Sequence, residues 1–128
     1  MVKLDHLTLP VRDWRAARDW YVRNLGFKVE FEVQAGGQGA AGVAALQDDA
    51  GFTVFLEQVS DPVQSGQAAY TIQVDNVDET HARLSATGVA FVSPPGRNFW
   101  GYGVVLTDLD GHVLRLWDEV TMSTKSGG

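Results

Sequence analysis

The chain has 128 residues, 45% hydrophobic and 20% charged, which allows one well-buried core and is typical of a globular protein. It contains no cysteine, which excludes disulfides, thiolate metal sites and thiol nucleophiles. Its formal net charge of −6 disfavours nucleic acid as a partner, and no apolar run is long enough to cross a membrane.

The first half of the chain has the pattern of a strand, a helix and three further strands. Polar and apolar residues alternate over residues 4–11, which predicts a strand, and Asp13 is placed to cap a helix that ends at Gly26. Three more strands are predicted at Phe27–Val33, Gly42–Gln47 and Phe52–Val59. Residues 37–42 match the dinucleotide fingerprint G-x-G-x-x-G by letter, but a strand follows them instead of a helix, so we interpret them as a hairpin loop.

The second half repeats this order after a polar linker at residues 60–67. A strand is predicted at Ala69–Val74, and Asn76 is placed to cap a helix that Gly88 ends. The remaining predicted strands are Val89–Val92, Tyr102–Leu106 and Val113–Trp117, and a loop rich in proline, glycine and aromatic residues covers residues 93–101. His81 and His112 are predicted to be solvated, and the tail at residues 121–128 to be disordered.

The two halves correspond residue by residue, and this repeat predicts the fold class. Residues 11–13 match residues 74–76, and Gly51 matches Gly111. Each half is a β-α-β-β-β module with a sheet face that it cannot cover alone, so two modules must pair. We predict one α+β domain over residues 1–120, with module one at 3–59 and module two at 68–119. Two twisted mixed sheets side by side would form a half-open barrel whose trough suits a small ligand.

Several stretches of the sequence resemble the vicinal-oxygen-chelate superfamily, the group of glyoxalase, bleomycin-resistance and extradiol-dioxygenase proteins. In the first module these are residues 4–13 (LDHLTLPVRD), 16–21 (AARDWY) and 25–27 (LGF). In the second module they are residues 74–78 (VDNVD) and 100–112 (WGYGVVLTDLDGH). The resemblance extends over residues 3–119 and implies the glyoxalase/bleomycin-resistance/dioxygenase fold.

The resemblance also implies where a divalent metal would lie, because family enzymes hold one with His, Glu or Gln from the first and last strand of each half. His6 fits the first of these positions, but its counterpart in the second half is Ala69, which has no donor atom. The last strands carry Phe55 and Arg115 at the ligand positions, and Glu57 would be a ligand only if the strand register shifted. Because catalytic metal sites need three protein ligands, we expect no cofactor, with a divalent metal as the open alternative.

The remaining inward-facing side chains are candidates for ligand binding. Arg115 has two open interpretations, since it either grips a substrate carboxylate or phosphate or forms a salt bridge with Glu57. His6 is a metal ligand, a general base or a hydrogen-bonded residue of the pocket. Aromatic and polar residues complete the predicted ligand-binding set, which comprises Phe55, Arg97, Phe99, Trp100, Tyr102, Arg115 and Trp117.

Together these features predict a glyoxalase/bleomycin-resistance-type protein that binds a small aromatic or anionic molecule as a homodimer, without a catalytic metal. The first residues show no apolar core of a signal peptide, so we expect a cytoplasmic protein. The alternative is an enzyme, a glyoxalase-like lyase or isomerase or a dioxygenase-type protein, that uses His6 and Glu57 with or without a divalent metal. A scaffold dimer with an unused trough is a third interpretation.

Overall fold

The chain folds as two structural units, Met1–Gln67 and Ala68–Gly128. The computed structural model describes residues 1–34 and 41–125, so most of the G-x-G-x-x-G match lies outside the described residues. Each unit holds one four-stranded mixed sheet and a helix that follows its first strand. The predicted α+β class with two β-α-β-β-β modules is therefore confirmed. No helix in the described ranges is long and apolar enough to span a membrane.

The first unit packs one long helix against its sheet. Its elements are β1 (His6–Val11), α1 (Trp14–Leu25), β2 (Lys28–Gln34), β3 (Gly42–Gln47), β4 (Thr53–Gln58) and the short α2 (Pro62–Ser65). The sheet order is β1-β4-β3-β2, in which only β1 and β4 are parallel. The helix α1 contacts β3 and β4 through a buried face that carries Trp14, Ala17 and Tyr21, three residues at helical spacing. The core of this unit therefore lies on the helix side of the sheet.

The second unit repeats this arrangement. Its elements are β5 (Ala69–Gln73), α3 (Val77–Ala86), β6 (Phe91–Asn98), β7 (Gly101–Thr107), β8 (Val113–Trp117) and α4 (Glu119–Lys125). The sheet order is β5-β8-β7-β6, and again only the first pair is parallel. Val77 and Leu84 of α3 are fully buried, as are Leu114 and Leu116 of β8. These residues form the core of the second unit.

Both long helices begin at the capping residues predicted from the sequence. Asp13 accepts hydrogen bonds at Oδ1 from the N–H groups two and three residues ahead (3.0 and 3.1 Å), and Asn76 accepts one from the N–H of Glu79 (2.9 Å). These bonds satisfy N–H groups that have no acceptor inside the helix. Gly26 ends α1 with φ 71°, a left-handed conformation that strains any residue with a Cβ.

A second side chain caps each helix from the end of the last strand of its sheet. In the first unit, Oε1 of Gln58 accepts a hydrogen bond from the N–H of Trp14 (3.1 Å). In the second unit, Oδ2 of Asp118 accepts one from the N–H of Val77 (2.6 Å). Trp14 and Val77 are each the first residue of their helix, so the repeat extends to a contact between residues more than forty positions apart.

The hairpin turns that precede β4 and β8 are repeated as well. Oδ1 of Asp48 accepts hydrogen bonds from the N–H groups of Ala50 (3.0 Å) and Phe52 (2.8 Å). Oδ1 of Asp108 accepts two in the same way, from N–H groups two and four residues ahead (both 2.9 Å). The aspartate in each turn thus holds the backbone in the conformation that reverses the chain, and the two turns share the sequence Asp-x-x-Gly.

The predicted loop at residues 93–101 is wrong in its extent, because most of it forms a strand hairpin. β6 continues to Asn98 and β7 begins at Gly101, so only two residues connect them. Proline cannot donate to a sheet ladder, which is why this stretch was predicted to be a loop. In the structure the register shifts between Ser93 and Gly96, and β6 is an edge strand, so the prolines at 94 and 95 need not donate.

The predicted disorder of the tail is wrong for residues 121–125, which belong to α4. Asp118 begins this helix, because its Oδ1 accepts the N–H of Thr121 (2.5 Å) and its Oδ2 accepts the hydroxyl of Thr121 (2.9 Å). The carboxylate is 2% exposed and therefore caps α3 and α4 from one buried position. Residues 126–128 lie outside the described residues.

His112 is fully buried, so the prediction that it is solvated is wrong. Its Nδ1 accepts a hydrogen bond from the backbone N–H of Ala68 (2.9 Å), so the proton of the neutral ring is on Nε2. The two residues lie 44 positions apart, and their bond holds the start of β5 beside the turn that precedes β8. A partner so distant in the chain left no local signal in the sequence.

Candidate ligand-binding site

The second sheet has one open face, which carries the predicted arginine. Leu114 and Leu116 of β8 are fully buried, whereas Val113, Arg115 and Trp117 alternate with them and are half-buried. Side chains along a strand alternate between the two faces, so these three point away from the core. Val105 of β7 pairs with Arg115 and lies on the same open face.

A cavity of about 440 Å³ lies between this face and the hairpin of β6 and β7. Its volume falls within the range usual for small-molecule sites, roughly 300–1,000 Å³. The described residues that line it belong to the second unit: Ser93, Pro94, Pro95, Gly96, Arg97, Asn98, Phe99, Trp100, Gly103, Val105, Val113 and Arg115.

Trp100 forms one wall of the cavity, and its position depends on two neighbours. Its backbone N–H donates to Oδ1 of Asn98 (3.0 Å), which holds the two-residue turn between β6 and β7. The indole lies over Gly103, where a Cβ would stand 2.8 Å from ring atom Cζ3 and would also collide with the carbonyl oxygen of Leu116. Glycine at position 103 therefore allows the tryptophan ring to lie directly against β7.

Arg115 provides a cation in the cavity, and it contacts aromatic rings in place of a carboxylate. Its Cζ lies 5.1 Å from the ring centroid of Phe99 and 5.6 Å from that of Trp100. Both distances allow attraction between the cation and the ring faces. Within the described part of the second unit, the guanidinium has neither a hydrogen bond nor an ion pair. The alternative salt bridge to Glu57 joins different units and stays a prediction.

Four predicted ligand-binding residues of the second unit meet at this cavity, and two do not. Arg97, Phe99, Trp100 and Arg115 line it. Tyr102 does not line the cavity, and its hydroxyl donates to Oδ1 of Asp78 on α3 (3.1 Å). Trp117 lies two residues beyond Arg115 on the same face of β8, outside the lining.

The first unit brings His6 and Phe55 together on the open face of its sheet. Their rings stack at 4.0 Å with an interplanar angle of 18°, and Phe31 meets Phe55 edge-on at 5.6 Å. Nδ1 of His6 lies 2.8 Å from Oδ2 of the exposed Asp5, so this carboxylate orients the imidazole. Glu57 is exposed on β4 and pairs with Pro10 of β1.

The side chains at the family's ligand positions do not fit a metal site. The register supports the assignment of these positions, since β1 pairs His6 with the residue two before Phe55, and β5 pairs Ala69 with the residue two before Arg115. Only His6 of these four has a donor atom for a metal. β4 pairs with β1 and β3 without a register shift, so Glu57 stays two residues past the ligand position. Among the described residues no three His, Cys, Asp or Glu side chains are grouped to hold a metal ion.

The sequence interpretation missed several residues of these faces. Val105 and Val113 line the cavity. Strand alternation around Arg115 on β8 could have identified Val113, whereas the place of Val105 depends on its pairing with Arg115 across the sheet. Phe31 was likewise identifiable from alternation within its predicted strand. Pro94 and Pro95 left no such signal, because their place at the cavity depends on a hairpin that was predicted to be a loop.

Comparison with known proteins gives one family and several related structures. The model of the Glyoxalase/Bleomycin resistance protein/Dioxygenase superfamily matches residues 3–116. An uncharacterized protein of Shewanella frigidimarina is 28% identical and covers 94% of this chain and 93% of its own length. TnmS3, an antibiotic binding protein from Streptomyces sp. CB03234, is 26% identical with a TM-score of 0.72, over 92% of this chain and 96% of its own. TioX from Micromonospora sp. ML1 is 27% identical with a TM-score of 0.68, over 87% and 95%.

Proposed function

We propose that the chain, which belongs to the Glyoxalase/Bleomycin resistance protein/Dioxygenase superfamily, binds a small aromatic or anionic molecule in the cavity of its second unit and releases it unchanged. The observation that carries this proposal is the cavity of about 440 Å³ that combines Arg115 with aromatic and apolar walls. Such a mixture of apolar lining and a few polar groups is characteristic of small-molecule sites. The likeness to TnmS3, described as an antibiotic binding protein, supports binding over chemistry.

A catalytic metal is not part of the proposal, because the donors at the family's ligand positions do not fit one. Protein purified without a chelator is expected to carry much less than one equivalent of zinc, nickel, manganese or iron per chain by mass spectrometry. Added metal is expected to leave the melting temperature unchanged, since only ligands that bind the folded state raise it. The His6→Ala variant should have the same low metal content as the wild type, and added metal should leave its melting temperature unchanged too. A stoichiometric metal that His6→Ala removes would contradict the proposal.

The enzyme alternative retains His6 and Glu57 as acid and base. The observation that favours it is the hydrogen bond between His6 and Asp5, because a carboxylate that orients an imidazole is a frequent arrangement in general base catalysis. The two functions differ in the fate of the ligand. A binding protein returns the compound chemically unchanged after denaturation, whereas an enzyme returns a product that the His6→Ala variant does not form.

Filling the cavity tests the binding site. Planar aromatic compounds, both neutral and anionic, are expected to raise the melting temperature, with about 2.7 kcal/mol of stabilisation at a hundredfold excess over Kd. Val113→Phe places a ring in the cavity and is expected to abolish this shift. Gln73→Phe puts the same ring at an exposed position of β5 outside the lining and should retain it. An equal shift in both variants would place the ligand elsewhere.

The homodimer and the cytoplasmic location predicted from the sequence remain part of this proposal. Phe31 and Val33 support self-association, because both are more than 40% exposed on strand β2, where large apolar side chains favour a covering partner. Light scattering coupled to gel filtration measures the mass directly. A monomer at micromolar concentration would contradict the dimer, and the thermal-shift comparison of Val113→Phe with Gln73→Phe tests the binding site separately.

A further inference from the structure

We infer that the ligand of the cavity is an aromatic monocarboxylic acid, whose carboxylate is bound by Arg115 and whose apolar body lies against the walls. The inference rests on the proposed function and specifies the chemical class of its ligand. Three properties of the site carry it: the state of the guanidinium, the chemistry of the walls and the charge around them.

The guanidinium of Arg115 has hydrogen-bond donors that no described group of the second unit occupies. Its contacts with Phe99 and Trp100 are cation–π contacts, which attract the charge without using any N–H donor. No protein acceptor occupies these donors within the described part of the second unit. A planar carboxylate matches the guanidinium with two parallel hydrogen bonds, and this pairing also compensates a charge that is half-buried.

The walls beside Arg115 suit an apolar body. Pro94, Pro95, Val105 and Val113 have side chains without donors or acceptors, so a polar group against them would lose its bonds to water. Phe99 is 89% exposed, and a ring that enters the cavity would cover part of its surface. The ligand is therefore amphipathic, with its charge at one end.

A single negative charge fits the site better than two. Arg97 also lines the cavity but already takes part in another contact, whereas no described acceptor of the second unit occupies the donors of Arg115. The chain carries a formal net charge of −6, which opposes every negative charge on a ligand, so only a charge that pairs with a cation of the site is favoured.

The experiment compares 2-naphthoate with 2-naphthamide, which differ in charge but share the same ring and nearly the same shape. Isothermal titration calorimetry at neutral pH is expected to give an affinity for 2-naphthoate about 10- to 100-fold higher, the usual effect of a hydrogen bond to a charged group. Arg115→Met is expected to remove the preference, and Arg115→Lys to reduce it because lysine lacks the planar fork. Arg83→Met, at an exposed position of α3 outside the cavity, should retain it.

The outcomes separate this inference from the proposed function. Equal affinity for the two compounds overturns the inference while binding in the cavity stands. A preference that survives in Arg115→Met also overturns it, since another group would then hold the carboxylate. Binding of neither compound at millimolar concentration overturns it as well, and the thermal-shift comparison of Val113→Phe with Gln73→Phe then decides the proposed function separately. Circular dichroism of each variant verifies that the fold is retained.

Discussion

Replacing Asp118 with alanine is expected to lower the free energy of unfolding by about 2–4 kcal/mol, from the loss of a helix cap and of a buried bond to a charged group. The carboxylate is 2% exposed and accepts the N–H of Val77, the N–H of Thr121 and the hydroxyl of Thr121. Alanine leaves the N–H of Val77 without an acceptor at a fully buried position. Urea denaturation followed by circular dichroism measures the change.

Two further variants test whether this loss comes from the bonds of Asp118. Asp75→Ala removes an exposed aspartate that lies just before α3 and should change stability by no more than about 0.5 kcal/mol. Asp118→Asn keeps an acceptor oxygen and should fall between the wild type and the alanine variant. A change below about 1 kcal/mol in Asp118→Ala would show that the two helices do not depend on this cap.

The elements with local signals were predictable from the sequence. Asp13 and Asn76 accept hydrogen bonds from N–H groups two or three residues away, so residue type and spacing sufficed to identify the caps. The bonds of the turn at Asp108 are equally local, since they span two and four residues. The internal repeat strengthened these predictions, because each local pattern occurred twice at matching positions. The fold class followed from the repeat.

Features that depend on distant contacts were not predictable in this way. His112 was expected to be solvated beside a turn, yet it is fully buried and its hydrogen-bond partner Ala68 is 44 residues away. Asp118 bonds to Val77 across 41 residues, and the helix it begins was missed. The cavity could not be predicted from the sequence for the same reason. Arg115 was identifiable by its type and position, but the hairpin that encloses it required a register shift that residue types do not specify.

The internal repeat separates residues that maintain the fold from residues that distinguish the two open faces. The aspartate of the hairpin turn, at positions 48 and 108, makes the same two bonds in each unit. At the equivalent positions Phe55 and Arg115, however, one unit has an aromatic ring and the other a cation. Folding requires the turn aspartate in both units, but it does not require the same residue type at the positions of Phe55 and Arg115. The difference therefore supports a ligand-binding role for the face that carries Arg115.

Gly42→Ala is expected to cost about 3–5 kcal/mol of stability, the sum of an overpacked core and a strained backbone. Gly42 begins β3 with φ 126°, a conformation that residues with a Cβ rarely adopt. A Cβ at this position would stand 2.6 Å from Cδ1 of Trp14 and closer still to its Nε1. Trp14 is 1% exposed and begins α1, so its indole has little room to move without disturbing the helix. Chemical denaturation monitored by tryptophan fluorescence measures the loss.

Gly51→Ala separates the two causes, because Gly51 also has positive φ (85°) but a Cβ there would have no atom within 4 Å. This variant carries only the backbone strain and should cost about 1–2 kcal/mol. The difference between the variants then measures the collision with Trp14. Equal losses would show that the indole moves aside at no cost, in which case the fit between Gly42 and Trp14 does not determine how α1 packs against its sheet.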